Sequence, residues 1–186
     1  MMDLLKTWHP QERCASAYDI DYEGLYEQGY RGVMFDIDNT LVPHGADADE
    51  RALALMKRLR DCGYEICFVS NNQKERVERF NRDIGAHVVI NAHKPGRNGY
   101  LRGMALMGCG KDETLYVGDQ IFTDVWGAKR LGIRSILTDP IDPKEEFQIV
   151  LKRIPERFVL RSYERKRRRE GREDAGQKDK GDEGEV

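Results

Sequence analysis

"GVMFDIDNTLV", residues Gly32 to Val42, runs small and apolar residues straight into two aspartates spaced by one position. A short, nearly continuous apolar run of this kind suits a strand buried on both faces. A carboxylate at its end is costly unless a cation or a reaction uses it. Four more runs read the same way: "YEICFVS", "HVVIN", "TLYVGD" and "IRSILTD". Between them lie stretches with apolar residues at three- and four-residue spacing, which predict helices over 47–62, 73–84, 96–107 and 122–131. In the first of these, Ala52, Leu55, Met56 and Leu59 share one face. Strands alternating with helices imply βαβ units, hence an α/β fold whose mainly parallel sheet is covered on both sides.

The length, 186 residues, suits one domain of about 100–200 residues with room for a tail. Residues 1–30 read as a lead-in packed on the core, with a short helix over "YEGLYEQGY". The core runs over 31–141. Residues 142–170 read as a basic helical extension interrupted near Pro155, with Phe147, Val150, Leu151, Ile154 and Phe158 on one stripe. From 171 to 186 the chain is Gly, Lys, Asp and Glu with almost no apolar residues, too polar to bury a core, and is predicted to be disordered.

The net charge of −2 hides an uneven layout, basic from Arg161 to Arg172 and acidic from Glu173 onward. That basic stretch reads as a solvated helix face, a contact for anionic membrane, or one for RNA. The four cysteines form no C-x-x-C pair and no disulfide frame, which favours a reducing compartment. No apolar run approaches the roughly 18 residues of a membrane span, and "MMDLLKTWHPQERC" lacks the apolar segment of a signal peptide. The expected place is the cytosol, or the surface of a membrane.

In open parallel sheets ligands bind beyond the carboxyl ends of the strands, and the polar residues of interest fall there. The first strand delivers Asp36 and Asp38, the second Ser70 with Asn71 and Asn72. The segment after the third carries Lys94, and the fourth delivers Asp119 with Asp124 five residues on. Carboxylates with one lysine and no thiolate set suit a hard cation with oxygen ligands, so Mg²⁺ is the expected metal. Metal and Lys94 together would allow a carboxylate to attack a phosphate monoester dianion. Asp36 is the candidate nucleophile, and Asp38, on the same side of an extended chain, the candidate proton donor and acceptor. Ser70 and nearby backbone N–H groups would hold phosphoryl oxygens. Asp119 would ligate the metal, and Asp124 would hold a metal-bound water or orient Lys94.

Taken in order, "DIDNT", "VSNN", "HKP" and "GDQIFTD" resemble the four motifs of the haloacid dehalogenase-like (HAD) phosphatases. The resemblance implies a Rossmann-like three-layer sandwich, Mg²⁺ and a phosphoaspartate at Asp36. It also places Thr40 in the catalytic motif, Ser70, Asn71 and Lys94 on the substrate, and Asp36, Asp38, Asp119 and Asp124 around the metal. Asp38 would ligate through its backbone carbonyl. The spacings from Thr40 to Ser70 and from Ser70 to Lys94 leave no room for a cap domain. "VSNNQKERV" and "GDQIFTDVWGAKRLG" look most like the capless class IIIA subgroup related to phosphatidylglycerophosphate phosphatases. An open site favours a large or surface-held phosphate ester. A phospholipid leads, followed by a phosphoprotein, a nucleic-acid end or a sugar phosphate.

Other readings compete. An EF-hand loop needs Gly and Glu at its sixth and twelfth positions, where Leu41 and Asp47 stand. Helix capping accounts for one aspartate but not for acids at several strand ends. A receiver domain carries its acidic pair ahead of the phosphorylated aspartate, the reverse of this order. No P-loop or G-x-G-x-x-G occurs, and no cysteine has arginine six positions on. His9, His44 and His87 read as surface or loop residues, and His93 as a possible pocket neighbour. Trp8 and Trp126 read as packing residues. A last alternative is a weakly active module that docks on RNA, a ribosome or a membrane through its basic C-terminal helix.

Overall fold

The computed structural model describes residues 8–142 and 159–165. Six strands form one sheet: β1 (Glu12–Cys14), β2 (Gly32–Phe35), β3 (Glu65–Val69), β4 (His87–Val89), β5 (Thr114–Gly118) and β6 (Arg134–Thr138). Their spatial order is β1-β6-β5-β2-β3-β4, and every pairing is parallel. The helices are α1 (Tyr22–Glu27), α2 (Glu50–Cys62), α3 (Lys74–Asn81), α4 (Arg97–Met107) and α5 (Trp126–Lys129).

Side chains alternate across a strand with period two, and here that alternation separates two cores. Val33, Phe35, Ile66, Phe68, Leu115 and Val117 pack with residues of α1, α2 and α3. Met34, Cys67, Val69 and Tyr116 face the other way, onto Tyr100 and Met107 of α4 and Ala128 of α5. The result is the expected three-layer sandwich. No cap is inserted: one helix, α2, separates β2 from β3, and one, α3, separates β3 from β4.

The predicted face of α2 is the buried one, since Ala52, Leu55, Met56 and Leu59 line its inner side. Asp49 caps its start by accepting the Ala52 N–H at 2.7 Å, and Gly63 ends it with φ 102°, a left-handed value that glycine adopts without steric cost.

Two local expectations change. Residues 12–14 add an edge strand, β1, not foreseen in the lead-in. It is three half-buried residues long with no apolar alternation, so no periodicity could reveal it. The helix expected over 122–131 is instead a π-helical turn, Ile121–Val125, leading into the short α5. His9, read as a surface or loop residue, lies outside helix and strand, is 7% exposed and packs against the Tyr163 ring. Residues 159–165 are helical. The predicted interruption at Pro155, the apolar stripe from Phe147 to Phe158, most of the basic run and the charged tail lie outside the described residues. Among the described residues no helix is long and apolar enough to cross a membrane.

Candidate active site

Chain progression explains where the site forms. From β2 the sheet extends through β3 and β4 on one side, while β5 and β6 lie on the other. At this switch point the loops after β2 and β5 diverge and leave a crevice. Asp36 and Asp38 enter it from β2, Asp119 and Asp124 from β5, Ser70 from the end of β3 and Lys94 from the segment after β4. A cavity of about 260 Å³ opens here, lined by Asp36, Asp38, Ser70, Asn71 and Lys94, with Asn39, His44, Asn72, Gln120 and Thr123. His93, exposed beside Lys94, is not among the lining residues.

Lys94 organises the floor. Its ammonium donates to Asp36 Oδ1 at 2.7 Å, Asp124 Oδ1 at 2.8 Å and the Tyr116 hydroxyl at 2.9 Å. Lys94, Asp36, Asp119 and Asp124 are all buried. Asp124 is brought back under the strand end by the π-helical turn, a device common at functional sites, and its Oδ2 accepts the Gln120 N–H at 3.0 Å. That fold-back requires glycine at 118, because a Cβ there would lie 2.6 Å from Asp124 Cγ. Thr40 Oγ1 donates to Asp119 Oδ1 at 3.2 Å. Asn71 brackets the Lys94 backbone, accepting its N–H at 2.6 Å and donating to its carbonyl. Ser70 Oγ accepts the Asn72 N–H at 3.1 Å.

Among the described residues, Asp36, Asp119 and Asp124 form a group whose carboxylate oxygens lie within 4.8 Å of one another. One ammonium beside three carboxylates leaves excess negative charge in a buried place. Burial pushes the Asp36 carboxyl above its ordinary range, Lys94 opposes that rise, and Asp124 adds to it. An all-oxygen set with surplus negative charge fits a hard dication such as Mg²⁺. If these residues hold it, Mg²⁺ at a hundredfold excess over its Kd should stabilise the fold by about 2.7 kcal/mol, read as a rise in Tm. Asp119→Asn should need markedly more Mg²⁺ for the same rise, and an unchanged titration would remove Asp119 from the ligand set.

Asp38 is placed differently. Its carboxylate stands outside the three-acid group and turns toward α3. It accepts the Gly45 N–H at 2.8 Å, Arg76 Nη2 at 2.8 Å and the Asn72 side-chain amide. The family resemblance implies a ligand role for the Asp38 backbone carbonyl rather than for this carboxylate. Burial works against ionisation of Asp38, but the Gly45 N–H and the Arg76 guanidinium outweigh it and hold the carboxyl below its usual range. Arg76 was not singled out in the sequence, where it reads as one more charge on a polar helix.

Both side chains of the Arg76–Asp38 pair are largely buried, so Arg76→Met should cost about 1–3 kcal/mol at neutral pH. A carboxyl held low in the fold adds stability above its unfolded value, and that stability is lost as pH falls through the folded value. The gap between wild type and Arg76→Met should therefore narrow in acid, as urea unfolding at two pH values would show.

The comparisons with known proteins identify the family. A model of the haloacid dehalogenase-like hydrolase family matches residues 47–138. The Probable phosphatase YqeG of Bacillus subtilis (strain 168) is 31% identical over 164 residues, covering 88% of this chain and 95% of that protein. The chain belongs to the haloacid dehalogenase-like hydrolase family. The family-model match begins after Asp36 and Asp38, so their assignment rests on the strand-end geometry described above. Phosphatidylglycerophosphate phosphatase 1 of Arabidopsis thaliana is 29% identical over 147 residues, which cover 70% of this chain and 40% of that longer protein. A solved structure named for a haloacid dehalogenase-like hydrolase of Bacteroides fragilis superposes with a TM-score of 0.51 at 16% identity, over 64% of this chain and 93% of that one. At that identity the likeness speaks to the fold alone.

Proposed function

We propose that this family phosphatase hydrolyses a phosphate monoester in two steps through a phosphoaspartate at Asp36. The observation that carries the reading is the Lys94 ammonium, buried between Asp36 and Asp124 at the floor of one cavity. A bare carboxylate repels a phosphate dianion, and a fixed ammonium aimed at the same point offsets that repulsion. Asp36, Asp119 and Asp124, with the Asp38 carbonyl, would hold Mg²⁺, which would add further neutralisation of phosphoryl charge.

In the first step an Asp36 carboxylate oxygen bonds to phosphorus as the ester P–O bond breaks, and the leaving oxygen takes a proton from Asp38. In the second, water bonds to phosphorus, its proton returns to Asp38, and the Asp36–phosphorus link breaks to release phosphate. Ser70 and Asn71 line the position of the non-bridging oxygens. Asp38, held ionised by Arg76, is set for the water step, while the first step requires it to arrive protonated. Leaving groups of low basicity need that proton least, so aryl phosphates should turn over faster than alkyl phosphates.

The substrate we favour is a lipid phosphate monoester such as phosphatidylglycerophosphate, supported by the Arabidopsis relative and by a cavity open to solvent without a cap. Contact with an anionic membrane through Arg161 to Arg172 would serve such a substrate; residues 166–172 of that run lie outside those described, so the contact rests on charge alone. The test is a phosphate-release screen with Mg²⁺ over lipid, sugar, nucleotide and phosphopeptide monoesters. Preference for the lipid ester in anionic vesicles supports the assignment. No release from any ester would sink the phosphatase reading, and preference for a soluble ester the lipid one.

A further inference from the structure

Resting on the phosphatase reading, we propose that Tyr116 is a positioning residue of this site, whose hydroxyl fixes the Lys94 ammonium beneath the phosphoryl position. Tyr116 sits within β5, between Leu115 and Val117, and in the sequence it reads as one more apolar strand residue. The alternation of the strand turns it away from those neighbours, onto the face that carries Met34, Cys67 and Val69. It is fully buried, and its ring is braced against Tyr100 with centroids 5.1 Å apart.

An ammonium has three N–H donors and no acceptor. Here all three have partners: Asp36, Asp124 and the Tyr116 oxygen. Having accepted from Lys94, that oxygen donates its own proton to Asp124 Oδ1 at 3.1 Å. Tyr116 is thus the neutral member of a closed triangle whose other corners are the cation and one of its counter-ions. The two carboxylates alone define a line along which a flexible four-carbon side chain could slide. A third partner on a rigid ring defines a point. When phosphate or metal draws on Asp36, Lys94 keeps two anchors only because Tyr116 is there.

Phenylalanine at 116 removes one oxygen and keeps the ring, so it isolates the hydroxyl. The first readout needs no catalysis: in protein labelled with ¹⁵N at lysine Nζ, the NH₃⁺ signal of Lys94 should be resolved and slow to exchange with water in the wild type, and broadened by faster exchange in Tyr116→Phe. A wild-type Lys94 that exchanges like a surface lysine overturns the proposal before any variant is made. So does a Tyr116→Phe protein with an unaltered Lys94 signal.

The second readout is kinetic. With Tm close to wild type, Tyr116→Phe should lower kcat about tenfold, the scale of one well-placed hydrogen bond, while KM stays within about twofold. A loss wholly in KM, or no loss, overturns the positioning role. Should the wild type release no phosphate while the Lys94 signal behaves as stated, the phosphatase reading fails and the anchoring of Lys94 stands.

Discussion

Asp36→Asn is expected to abolish Mg²⁺-dependent phosphate release, lowering it by about 10⁴-fold or more, the scale seen when a nucleophile is removed from a catalytic group that acts as a unit. The same protein should fold at least as well as wild type when Mg²⁺ is withheld. Asparagine keeps the shape and can still accept from Lys94, but it withdraws one negative charge from a buried group that carries too many. Loss of turnover with retained or raised Tm separates chemistry from structure. Turnover near wild type would reject Asp36 as the nucleophile.

Lys94→Met is expected to do the reverse to stability. Removing one partner of a buried ion pair costs about 3–5 kcal/mol, and here it strands both Asp36 and Asp124, whose oxygens accept from that ammonium. The sign with pH follows from the direction of the Asp36 shift. A carboxyl whose folded pKa is raised contributes stability below its unfolded value and loses it as pH rises through the folded value. Without Lys94 the rise is larger, so the variant should be more stable in mild acid than at alkaline pH when no divalent ion is present. Mg²⁺ should restore part of the loss by supplying the missing positive charge. Activity should fall about 10²- to 10³-fold, as when one preorganised electrostatic donor is deleted. A Lys94→Met protein with unchanged Tm across pH would contradict the charge balance described for this floor.

Much of this site was legible because it is written at strand ends. An apolar run that stops at a carboxylate, repeated beside one lysine, locates a crevice before any coordinates are known: Asp36, Ser70 and Lys94 line one cavity, and Asp119 and Asp124 are buried against Asp36. The face of α2 was legible for a similar reason: burial repeats every three to four residues, so Ala52, Leu55, Met56 and Leu59 announce themselves. What escaped was whatever depends on side-chain direction. The carboxylate of Asp38 turns to Arg76 rather than to the acid group, a choice made by α3 packing some forty positions away. Tyr116 hides in a strand where every residue is buried, and only its hydroxyl's neighbours distinguish it from core. The π-helical turn escaped because its residues carry the same periodic signal as an ordinary helix, one residue of slack being invisible to a 3.6-residue pattern.

The edge of the sheet has a consequence for how the molecule is made. Glu12, Arg13 and Cys14 find their ladder partners at Ile136, Leu137 and Thr138, and Arg13 also pairs with Asp139 and Glu164. The opening segment must therefore wait, unpaired, until nearly all of the domain has emerged from the ribosome. A pulling experiment that draws the chain from its amino end should unzip this seam before it disturbs the floor of the pocket.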